Sequence, residues 1–258
     1  MGHPFRSPRF APTLTPRYAF PMDDTIPTEL LAFDCVTKTQ AAHDLLQVHY
    51  GRPKPEKSEK SEEELDLIIR IIRVIIAQNT SKANQARALE RLRRRFPDPA
   101  LIAEAPLADV VDAIYVAGLA NSKAPRLQAM IEQLLEATDG TLELDFLREM
   151  PAEEARIFLM KLPGIGPLSA SLVLLFGLNR PVLPVNTGLH RVALRVGMLP
   201  PNASAERAHD LLQAMLEDDE IYPFHVNMVR HARQFCASAR PKCESCPLAV
   251  ICNWVHGR

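Results

Sequence analysis

Apolar positions recur at helical spacing over most of this chain. Residues 65–77, LDLIIRIIRVIIA, are apolar on nearly every face, with Arg70 and Arg73 three apart as the interruptions. The run is too short for a bilayer, which takes about 20 residues, so it predicts a central buried helix. Its Ile and Val would also suit a strand, but flanking acids and the arginine spacing favour helix. Segments 39–50, 84–95, 107–117 and 123–137 follow the same period, and further helices are expected at 152–161, 167–177, 187–197, 204–217 and 224–236. Gly118 and Gly140 are predicted helix stops and Ser122 a predicted N-cap. With no alternating pattern and no internal repeat, the expected fold is all-α.

Outside these segments the period fails. Residues 1–27 hold six of the 22 prolines and predict a disordered arm. Met22 is a second candidate for the first residue. Residues 51–64, GRPKPEKSEKSEEE, predict a polar connector whose closing acids suit a helix N-terminus. Composition narrows the class further. Only 10 Gly and 6% aromatics argue against a propeller, a sandwich or a collagen-like chain. Lys and Arg number 30 against 31 Asp and Glu, a net charge of −1. That excludes a histone-like binder but leaves room for a local basic face on nucleic acid. The basic N-terminus lacks an apolar core like that of a signal peptide, so a cytoplasmic, membrane-free protein is expected.

Four of the five cysteines, Cys236, Cys243, Cys246 and Cys252, crowd together as C-x6-C-x2-C-x5-C. An odd total without a signal argues against a disulfide framework. Four thiolates this close can share one soft metal centre, and the fifth, Cys35, reads as an ordinary thiol. Zinc is one candidate, although zinc sites usually show two C-x2-C knuckles and this chain has one. An iron–sulfur cluster accepts uneven ligand gaps and is favoured.

Residues 161–170, KLPGIGPLSA, predict a turn at Pro163-Gly164, a second non-standard backbone angle at Gly166, and a new helix opening on Pro167. Two helices joined in this way offer backbone N–H groups to a phosphate. A tight corner with no ligand explains Gly-x-Gly equally well.

The LPGIG hairpin, PVNTGLHRV at 184–192 and the four-cysteine tail, in that order, resemble the helix-hairpin-helix (HhH-GPD) DNA glycosylases. AQNTSK at 77–82 and AGLANSKA at 117–124 make the chain look most like the endonuclease III branch, over about residues 65–258. The resemblance implies a two-lobed all-α fold: a six-helix domain over 65–180 with the hairpin at 153–177, and a [4Fe–4S] cluster domain joining 28–64 to 181–258. It implies a base-excision-repair protein on duplex DNA with a damaged base or abasic site, acting as a monomer in association with the nucleoid. Gln78 matches the residue that fills the gap left by a flipped nucleotide, and Leu119 the wedge in the opposite strand. Gly164 and Gly166 match the phosphate-binding hairpin, and the four cysteines the cluster ligands. Basic residues within 225–258, with His225, His231 and His256, would face phosphate. Arg87, Arg91, Arg93, Arg94 and Arg95 form a second basic run, or a solvated helix face.

Two positions depart from the family. Leu168 stands where bifunctional members place the lysine that attacks the sugar, so Schiff-base lyase chemistry is not expected. Lys123 and Lys161 lie nearby but do not match that position. Asn186 stands where the family has the aspartate that supports the departing base. Asparagine caps a helix as well as aspartate, but it carries no charge. Ser81 stands where relatives often have an acid, and the adenine-specific glutamate has no counterpart nearer than Asp66. His190 reads as a solvent-facing or core-edge histidine rather than a base, and Pro167 removes one N–H from its helix start. The expectation is a monofunctional or weak N-glycosylase, with a non-catalytic binder of damaged or abasic DNA as the alternative.

Overall fold

The computed structural model describes residues 34–55 and 67–257. The arm at 1–27, most of the connector at 51–64 and Asp66 lie outside the described residues. Those residues form helices and turns with no strand among them, as the apolar period predicts.

The described chain divides into two compact units, residues 67–166 and residues 34–55 with 167–257. The break falls between Gly166 and Pro167, whereas the sequence reading carried the first unit to 180. The difference has a packing cause: Leu175, before the expected boundary, belongs to the apolar core of the second unit.

In the first unit, α2 (Leu67–Ala77) buries seven of its apolar side chains, Ile71, Ile72, Ile75 and Ile76 completely. It packs against α3 (Lys82–Arg95) and α6 (Ala120–Ala137). Between them come α4 (Leu101–Glu104), α5 (Leu107–Ile114) and a 3-10 turn at Tyr115–Ala117. Two short helices, α7 (Phe146–Glu149) and α8 (Ala152–Met160), lead into the hairpin. Ser122 is not the N-cap of α6, because the helix starts at Ala120 and Leu119 holds the cap position in left-handed backbone, φ 52°. Gly118 (φ 67°) and Gly140 (φ 87°) do take the left-handed backbone expected of helix stops.

The second unit opens with α1 (Cys35–Tyr50). After the hairpin come α9 (Pro167–Leu172), continued by a π turn at Val173–Gly177, then α10 (Thr187–Val196), α11 (Ala205–Gln213) and α12 (Asp218–Gln234). A short α13 (Asn253–His256) ends the described chain, and α10 packs against α11, α12 and α13. Helix α12 starts at Asp218, six residues before the predicted 224, with a capping box between Glu217 and Glu220. Pro223 therefore lies inside the helix and cannot donate to the Asp219 carbonyl. Arg52 Nη2 donates to that carbonyl instead, at 3.1 Å.

Candidate functional site

The first unit brings Gln78, Leu119 and the hairpin onto neighbouring turns. Gln78 follows α2, and its Nε2 donates to the Gly164 carbonyl at 2.8 Å. Leu119 is 64% exposed and is no part of the core. A left-handed backbone costs a branched-chain residue about 1–2 kcal/mol, and here it holds an apolar side chain in water. Strain of that kind concentrates at functional positions.

These turns are braced from beneath. Thr80 Oγ1 donates to the Ala117 carbonyl at 2.6 Å. Lys123 is 3% exposed, and its Nζ donates to Ile76 O (2.9 Å), Thr80 Oγ1 (2.7 Å) and Ala117 O (3.2 Å). Burial pushes its amine below the usual lysine value. All three N–H bonds of Lys123 are committed inside the protein, and Lys161 is an exposed residue at the end of α8.

In the hairpin, Gly164 has φ 83°, and a Cβ there would stand 3.3 Å from Arg126 Cβ and 3.5 Å from Ile75 Cδ1. Both conformation and space ask for glycine. Gly166 corrects the sequence reading, since its backbone is not left-handed and a Cβ would meet nothing within 4 Å. Nothing inside the protein demands glycine there, which leaves the hairpin open to an approaching ligand. Part of the arginine run on α3 ties this helix to α5, Arg91 pairing with Asp112 at 3.1 Å and Arg95 bonding Asp109, while Arg87 bonds Asn84 within α3.

In the second unit, Leu168 is half-buried on α9 and brings no amine. Asn186 caps α10 as expected, its Oδ1 accepting from the Leu189 N–H at 2.8 Å. His190 Nε2 lies 2.9 Å from the Ala203 carbonyl, a core-edge residue. His225 and His231 are buried, which removes them from any phosphate-facing surface. Burial lowers both to about 4, so both imidazoles are neutral at pH 7. Arg230 lies over the Tyr50 ring at 4.6 Å, while His256 is exposed beside the Val250 carbonyl.

Cys236, Cys243, Cys246 and Cys252 all line one small pocket, and Cys35 is buried and not among its lining residues. Among the described residues no three His, Cys, Asp or Glu side chains are grouped so as to hold a metal ion. Two arginines that the sequence reading missed, one helical turn apart on α10, hold this loop. Arg191 Nε donates to Cys236 O at 3.0 Å. Arg195 reaches Cys236 Sγ (3.3 Å), Ala237 O (2.8 Å) and Ser238 O (3.0 Å), and stacks 4.9 Å over Trp254. Their i, i+4 spacing was the available signal. The helix capped by Asn186 is thus bonded directly to the cysteine loop.

The family pattern described as "HhH-GPD superfamily base excision DNA repair protein" matches residues 72–217. Endonuclease III of Thermotoga maritima is 30% identical over 184 residues, 71% of this chain and 81% of that protein. Endonuclease III of Sulfolobus acidocaldarius is 27% identical over 182 residues, 70% of this chain and 78% of the relative. A solved endonuclease III, trapped as a covalent intermediate with DNA in an estranged-adenine complex, superposes with a TM-score of 0.70. It is 25% identical, over 86% of this chain and 98% of its own.

Proposed function

The chain belongs to the HhH-GPD superfamily of base excision DNA repair proteins, and from that premise we propose that it recognises damaged or abasic sites in duplex DNA and releases damaged bases as a monofunctional or weak N-glycosylase. Gln78 and Leu119 do the reading: the leucine wedges into the strand opposite the lesion and the glutamine occupies the vacated gap. The glycosidic C–N bond breaks with its electron pair leaving on the base, and water supplies the oxygen at C1′. No Schiff base forms, because Leu168 offers no amine. That single observation carries the monofunctional reading, together with a buried Lys123 whose donors are all used.

Asn186 is the weak point of the reaction. Its Oδ1 is committed to the α10 cap and carries no charge to stabilise a cationic sugar. A positioned electrostatic group is worth about 3 kcal/mol or more, roughly a hundredfold in rate. This favours damaged bases that leave easily, and it supports the second reading, a protein that binds damaged or abasic DNA without turnover.

Cys236, Cys243, Cys246 and Cys252 would hold a [4Fe–4S] cluster. All four thiols line one pocket, and their uneven spacing with a single C-x2-C knuckle suits an iron–sulfur cluster better than a zinc site. When bound, the cluster would serve structurally, closing a C-terminal loop with little core of its own. Iron and sulfide measured per chain test this, and one zinc with no sulfide overturns it.

The function is tested by single-turnover base release from duplexes carrying oxidised pyrimidines, uracil or thymine mismatches, alkylated purines or an abasic site, with and without alkali. Strand breaks that appear only after alkali support the monofunctional glycosylase and name its substrate class. Breaks without alkali overturn it, and tight lesion binding with no release supports the second reading.

A further inference from the structure

The two turns of the first unit are joined by a side chain the reaction itself does not use. Ile76 is the penultimate residue of α2, and the last carbonyls of a helix lack intrahelical partners and carry its negative pole. Lys123 Nζ donates to that carbonyl at 2.9 Å. The same ammonium reaches Ala117 O at 3.2 Å in the turn before Leu119, and Thr80 Oγ1 at 2.7 Å in the turn after Gln78. Thr80 closes the ring by donating to Ala117 O at 2.6 Å. One helix, α6, therefore carries Leu119 at its cap, Lys123 in its first turn, and Arg126 against Gly164 of the hairpin.

We propose that Lys123 is a positioning residue: its buried ammonium clamps the Gln78 turn to the Leu119 turn, so that gap filler and wedge keep one fixed spacing and enter DNA as a unit. The proposal rests on the reading of Gln78 and Leu119 given above. A buried lysine costs desolvation that a leucine or methionine would not, and a residue serving only the core would not need three donors in a fixed fork. A cation is suited to the position because all its acceptors are backbone carbonyls or a hydroxyl, contributed by two separate turns.

Two measurements on the full chain test this. In the first, amide hydrogen exchange is followed in Lys123→Met and in Thr80→Val, a milder change that removes only the hydroxyl. Exchange should quicken about tenfold at Thr80, Gly118 and Ser122 together, while the amides of α2 and α6 beyond their first turns hold. Loosening of one turn alone, or of neither, overturns the clamp. Uniform loosening of the whole unit would show a merely structural lysine and overturn it as well.

The second measurement compares affinity for a duplex with an abasic-site analogue against the same duplex intact, with 2-aminopurine opposite the lesion reporting wedge insertion. Selectivity and the fluorescence response should fall about tenfold in both variants while affinity for intact duplex is unchanged. Equal loss on both duplexes, or unchanged selectivity in a folded variant, overturns the positioning role. If the parent chain itself shows no lesion selectivity, the reading of Gln78 and Leu119 falls. The exchange result then still decides whether Lys123 couples the two turns.

Discussion

Leu119 and Leu168 are the same residue in opposite circumstances. Leu119, in the first unit, is 64% exposed in left-handed backbone at a helix cap, an arrangement that costs free energy in both backbone and solvation. Leu168, in the second unit, is half-buried on a regular helix and costs nothing. Asn186 belongs with it: its side chain does what any good cap does. The first unit has expensive features at the positions proposed to read DNA, and the second has ordinary, stabilising residues where the resemblance places the family's reacting groups. On that proposal, recognition is the better maintained of the two.

The sharpest break in that comparison is Leu168→Lys. The half-buried site accommodates a lysine stem with its ammonium turned to solvent. The variant should form borohydride-trappable adducts at abasic sites, where the parent forms none. A folded, DNA-binding variant without adducts would place α9 away from the position the resemblance assigns to it. Next in size is Asn186→Asp. The carboxylate keeps the cap, and the helix N-terminus favours its charged form. Single-turnover base release should rise about a hundredfold. No gain over the parent would mean that the pocket no longer holds a flipped nucleotide.

What the sequence reveals follows the same division. The helices are legible because each buries a periodic apolar face, α2 above all. Asn186 is legible as a cap, and the cysteine cluster as a group of thiols. Ser122 fails as a cap because a strained leucine occupies the position three residues earlier, and no propensity predicts that. Gly166 is misread because a glycine beside a turn need not take a left-handed angle itself. His225 and His231 look like phosphate ligands in a basic tail, yet they sit on the buried face of α12. Nothing in NSKA marks Lys123 as buried, and only three-dimensional packing shows its ammonium under two turns.

Acid sharpens the contrast between the units by a different route. Residues 67–166 contain no histidine, whereas His225 lies buried in the second unit. Burial, with the nearby His209, lowers its pKa to about 4 against the opposing hydrogen bond from its Nδ1 to Pro184 O at 2.8 Å. Its folded value is below the unfolded 6.5, so the unfolded chain binds the proton more readily. The stabilising effect is complete above pH 6.5 and is lost as pH falls towards 4. By pH 5 the loss is about 2 kcal/mol. Acid should therefore raise amide exchange in the second unit first. His225→Gln, which can still reach the Pro184 carbonyl, should flatten the pH dependence of the unfolding midpoint over this window. An unchanged slope would mean that His225 is protonated in the folded protein.

The smallest expected effect tests the expensive half of the comparison directly. Leu119→Gly removes both the branched side chain and the penalty for left-handed backbone. It also frees the unfolded chain, which offsets part of the gain. The net result should be a slightly more stable protein, by about 1 kcal/mol or less in chemical denaturation. Lesion selectivity should fall about tenfold in the same variant. Leu119→Ala separates the two contributions: it keeps the strain, loses the wedge, and should lose selectivity without gaining stability. A glycine variant that is more stable and still selective would show that the exposed leucine is not the wedge, and the strain at its backbone would then have no account in recognition.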